Sequence, residues 1–87
     1  MVFFTEKDYD AVEAHIRRDI LNINKKTKQT ETCMFACYCL IDTWKHSGKN
    51  TEALEEEIKQ YWLELEKLDH AKKGAELLLK EIRRRKV

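Results

Sequence analysis

The chain has 87 residues, 43% hydrophobic and 38% charged, with no proline, two glycines and a formal charge of +1. This length gives one domain at the small end of what folds alone. The near-neutral sum argues against a global polyanion binder, and no stretch approaches the roughly 20 apolar residues needed to span a bilayer.

The opening MVFFTEKDYD has no basic leader and no long apolar run, so it does not read as a signal peptide. The three cysteines are odd in number and crowded within CMFACYCL, residues 33–40. A secreted disulfide scaffold spaces an even number along the chain, so a reduced, cytoplasmic protein is expected. Without proline, and rich in Leu, Glu, Lys, Ala and Arg, the chain favours helix throughout.

The first predicted helix covers about 6–23. Thr5 and Asp8 have capping-box spacing, and Phe4 and Tyr9 are placed for a hydrophobic staple. Tyr9, Val12, Ile16, Ile20 and Ile23 recur on one face. Acids come early and Arg17 and Arg18 late, in line with the helix dipole. KKTKQTET, residues 25–32, is polar and reads as a loop, with Thr27 or Thr30 capping a second helix over about 30–46. Cys33 to Ile41 is apolar nearly all round, the mark of a buried central helix. SGKN, residues 47–50, ends it, with Gly48 as the left-handed residue past its C-terminus.

The third predicted helix covers about 51–85. Leu54, Ile58, Tyr61, Leu65, Leu68, Lys72, Ala75, Leu79 and Ile82 alternate four and three apart, an unbroken heptad seam with one lysine in it. Gly74 is the place where a break would give a fourth helix, but a turn has no reason to preserve the phase that runs through it. The fold class is therefore all-α, a small three-helix bundle in a single domain, residues 1–87, with a four-helix monomer as the competing arrangement.

Charge is sorted along the third helix. Thr51 to Leu68 holds six acids and two lysines, net −4, while Asp69 to Val87 holds seven bases and three acids, net +4. Dipole complementarity reaches only the terminal turns. Antiparallel pairing of two copies sets opposite charges side by side. If the two shorter helices cover only the first half, the stripe Lys72, Ala75, Leu78, Leu79 and Ile82 is left for an oligomer interface.

The candidate chemistry is thin. Cys33 and Cys37 share a helical face, but Cys39 lies about 200° round from Cys37, so three thiolates cannot meet on one ion. No second Cys/His pair has ligand spacing, and core packing is the reading for these cysteines; no metal and no cofactor is implied. His15, His46 and His70 fall on three different predicted helices with no nucleophile at readable spacing. No G-x-S-x-G, HExxH or glycine-rich phosphate loop occurs, so an enzyme is not expected. Lys25, Lys26, Thr27 and Lys28, at a helix N-terminus, form a candidate anion site, to which Arg83, Arg84 and Arg85 add a second cationic cluster. Those C-terminal bases have a plainer reading as partners for Glu55 to Glu57 of a second subunit.

Two functions follow. The first is a non-enzymatic protein-interaction module, of adaptor or inhibitor type, that works as a homo-oligomer and docks on a larger protein. The alternative is an anion-binding module for nucleic acid or a nucleotide-like phosphorylated ligand.

Overall fold

A computed structural model describes residues 4–86; Met1 to Phe3 of the opening segment and Val87 lie outside the described residues. The chain forms two long helices, α1 (Glu6–His46) and α2 (Glu52–Arg85), folded back on each other as a hairpin of 66 × 18 × 15 Å. The all-helical class stands, and the three-helix bundle is corrected to a two-helix antiparallel coil. The described residues contain no strand, and no helix among them is long and apolar enough to cross a membrane.

The difference lies in residues 25–32. They continue α1 without a break. The hydroxyls of Thr27, Thr30 and Thr32 donate to the carbonyls of Ile23, Lys26 and Lys28, at 2.9, 2.8 and 2.9 Å. Bonding back one turn lets threonine sit inside a helix instead of capping a new one. A seam of α1 runs through the same stretch: Tyr9, Glu13, Ile16, Ile20, Ile23, Thr27, Thr30, Met34, Cys37, Ile41 and Trp44 are all buried or half-buried, alternating four and three apart. It faces the seam predicted on α2, where Leu54, Ile58 and Leu68 are buried and Tyr61, Leu65, Lys72, Ala75, Leu79 and Ile82 half-buried. Helix α2 passes through Gly74 as the preserved phase requires.

The ends form as their sequences dictate. Thr5 and Asp8 make the reciprocal capping box, and Phe4 packs edge-on against Tyr9 with ring centroids 6.1 Å apart. At the hairpin turn, Gly48 has φ +74°. Its N–H donates to the Lys45 carbonyl at 3.2 Å, and the Lys49 N–H donates to that of Trp44 at 2.9 Å. These two bonds make a Schellman motif, which needs a left-handed residue at Gly48. Asn50 then accepts from the Glu52 N–H at 2.9 Å and starts α2.

The densest packing adjoins the turn, where Cys37, Ile41, Leu54 and Ile58 cluster with Met34, Trp44 and Tyr61 around them. Farther out, the seam turns polar at Thr27 and Lys72, beside a cavity of about 220 Å³ also lined by Asn24, Glu31 and Asp69. Beyond it, Ile16, Ile20 and Ile23 lie along Ala75, Leu79 and Ile82. Toward the open end, ion pairs replace apolar contacts: Glu13 and Lys86 both hold seam positions and bond each other at 2.8 Å.

Candidate interaction surface

A helix with one partner can bury only one side. CMFACYCL is therefore not the buried core of a bundle: Cys37 is 6% exposed, whereas Cys33 and Cys39 are exposed and Phe35 stands 69% exposed. Burial pushes the Cys37 thiol up, helped by the negative charge of Glu57. It is thus a packed thiol rather than an activated nucleophile. Tyr61, which donates to Glu57 at 3.0 Å, is pushed up to about 12, chiefly by that bond. Among the described residues, no three His, Cys, Asp or Glu side chains gather to hold a metal.

The residues beside the two seams define two broad faces of the hairpin. On one of them, Tyr38 of α1 and Trp62 of α2 meet across the helix boundary. The indole N–H of Trp62 donates to the Tyr38 hydroxyl at 3.3 Å. Trp62 remains 54% and Tyr38 46% exposed, and Phe35 adjoins Tyr38 one turn away on α1. Trp62, Leu63 and Leu65 line an open, mostly apolar depression with Lys59 and Glu66. Three aromatic rings standing in water on a rigid coil are what an interface core draws on.

The same face carries a second feature, toward the open end. Arg17, Ile20 and Leu21 of α1 and Leu79 and Arg83 of α2 line a groove of about 390 Å³. Its two arginines flank an apolar floor. Leu21, at 69% exposure, is its most open wall.

The predicted site residues are placed differently from expectation. Lys72, Ala75, Leu79 and Ile82 are half-buried along α1, so the stripe expected to lack intrachain cover has it; Leu78 lies beside the seam, half exposed. Lys25, Lys26, Thr27 and Lys28 sit in the interior of α1, where backbone N–H groups serve the helix and no helix start exists. They lie some 12 residues, about 18 Å, along α1 from Glu13, beside which the C-terminal bases collect. Those bases have partners in their own chain. Arg83 bonds Glu13 at 3.1 Å, Arg84 and Arg85 bond Glu81 at 2.6 and 3.1 Å, and Lys86 bonds Glu13 and also meets Asp10. Where Glu55 to Glu57 of a second subunit were expected, Arg83 and Lys86 thus meet the acidic start of α1, and Arg84 and Arg85 meet Glu81 on their own helix.

No family model, no curated protein and no solved structure matches this chain.

Sequence reasoning passed over the aromatic cluster. The apolar run from Cys33 to Ile41 places Tyr38 and Phe35 in a core, and the seam of α2 passes beside Trp62 without including it. The signal that separates them is the heptad phase of α1, which puts Cys37 in the seam and leaves Phe35 and Tyr38 outside it.

Proposed function

We propose that this chain is a small, non-enzymatic protein-interaction module, a helical hairpin that works as a homo-oligomer and docks on a larger protein as an adaptor or inhibitor. The observation that carries the reading is the exposed Phe35–Tyr38–Trp62 cluster. Monomeric proteins rarely leave a contiguous apolar patch on a rigid face without a use for it. Aromatic anchors with few rotatable bonds lose little entropy on docking. The coil beneath them is held by its own seam and needs no partner to position the rings. Lys59, three residues from Trp62, pairs with Glu56 within its own helix, as expected of a solvated rim.

The test uses the tagged full chain expressed in its own cells. Proteins recovered with it, including a differently tagged second copy, are compared with those recovered by a Phe35→Ala/Tyr38→Ala/Trp62→Ala variant of unchanged helicity. The reading expects recovery to collapse in the variant. Equal recovery by both forms, or no partner for either, overturns it.

A further inference from the structure

Two helices make a thin rod. The chain exposes 7129 Å². A compact fold of its 10.4 kDa exposes roughly 5,400 Å². The excess, roughly 1,700 Å² per chain, is the scale of a large homodimer interface. No described side chain is fully buried, so the hairpin has a seam but no enclosed interior. Pairing two hairpins face to face makes a four-helix bundle, which does enclose one.

The groove and the aromatic cluster lie on the same face for a simple reason. Trp62 and Arg83 are three heptads apart on α2, and Tyr38 and Arg17 are three heptads apart on α1. They are also set at matching distances from opposite ends. Trp62 is ten residues into α2, about 15 Å from the turn. Arg17 is eleven residues into α1, about 17 Å from the open end. When two hairpins are laid antiparallel and fully overlapped, each Trp62 comes over the other's groove.

We propose that this face binds a second copy of the chain, antiparallel and in full overlap, with Trp62 of each protomer seated in the Arg17–Ile20–Leu21–Leu79–Arg83 groove of its partner. The proposal rests on the interaction reading above and names its self-association partner. The groove's volume accommodates an indole, its floor is apolar, and Arg17 and Arg83 offer guanidinium groups to the ring face. Charge selects the orientation. The turn-side half of each hairpin, residues 31–68, net −4, comes to lie along the partner's open half, residues 4–30 and 69–86, net +5, whereas parallel hairpins set like charge against like. The two contacts are equivalent under a two-fold axis, as a closed dimer requires.

Two single variants and their mixture test this. Trp62→Ala removes the knob and leaves the groove; Leu21→Glu puts a carboxylate into the groove and leaves the knob. Both positions are more than half exposed, so circular dichroism should show unchanged helicity. Sedimentation of the wild-type chain is expected to give twice the 10.4 kDa chain mass. Each variant alone is expected to dissociate at least about thirtyfold more readily, as loss of a central aromatic anchor does. An equimolar mixture should regain dimer, because a mixed pair keeps one intact knob and groove while either variant alone keeps none. A monomeric wild type, a Trp62→Ala variant that dimerises like wild type, or a mixture that stays monomeric overturns the proposal. If the purified chain is monomeric yet still recovers a different protein in an aromatic-dependent way, the second copy and the homo-oligomer are refuted, and docking on a larger protein stands.

Discussion

Glu13 shows how one residue ties the two ends of the chain together. It occupies a seam position where an apolar residue is expected, and its side chain is only 13% exposed. Lys86 and Arg83 from α2 bond it, with Arg17 from its own helix, and together they hold its carboxyl down to about 2, against the opposing effect of burial. Asp10 is the other carboxylate beside the cluster, through Lys86. A folded pKa near 2 lies below the ordinary 4.5, so the stabilisation is fully present above about 4.5 and is lost as pH falls toward 2. Thermal unfolding of wild type and Glu13→Gln should therefore differ most at neutral pH, with wild type the more stable. The gap should close between about pH 4.5 and 2. Parallel pH curves would mean that the carboxylate charge does not hold the open end. In the linear sequence, Glu13 is one acid among several at a helix start. Arg17 is local, but Arg83 and Lys86 arrive 70 and 73 residues later, and nothing local announces them.

The two long elements illustrate what governs helix continuity. Gly74 interrupts α2 by propensity but not by phase, and phase prevailed. Lys25 to Thr32 interrupts α1 by polarity, and again phase prevailed: Thr27 and Thr30 keep the four-three spacing between Ile23 and Met34. The segment contains neither glycine nor proline, so nothing in its backbone forces a turn. Polar residues within a seam weaken it and favour one register, as the pairing of a lysine-bearing level on α2 with a threonine level on α1 does here. The glycines give a paired prediction at this scale. A Cβ at Gly74 meets nothing within 4 Å, so Gly74→Ala should stabilise the hairpin by about 1 kcal/mol, raising the midpoint by about 4–8 °C. Gly48→Ala forces a side chain into the left-handed region at φ +74° and should destabilise by about 1 kcal/mol. Urea titration of both variants checks the signs. A destabilised Gly74→Ala would show that α2 needs a bend there.

For the whole molecule, shape is the most diagnostic property. The single hairpin is a rod 66 Å long with a Cα radius of gyration of 19.7 Å. Full-overlap pairing thickens that rod without lengthening it, whereas end-to-end or staggered association extends it. Small-angle scattering across a dilution series should thus show mass doubling at a nearly constant maximum dimension. A maximum dimension that grows with mass would refute the overlapped arrangement.

The all-helical class, the capped start at Thr5, the left-handed turn at Gly48 and the seam of α2 were each legible from local sequence, because each rests on residues a few positions apart. Spacing and propensity decide such features before any tertiary contact forms. Two things were not legible. Whether Lys25 to Thr32 is a loop or a helix depends on α2 lying alongside to bury the edge of Thr27. Which side of CMFACYCL is core depends on having one neighbouring helix instead of two. Both are decided by the antiparallel packing of the hairpin: burial belongs to the pair of helices, and a residue's own chemistry sets only what that burial contributes.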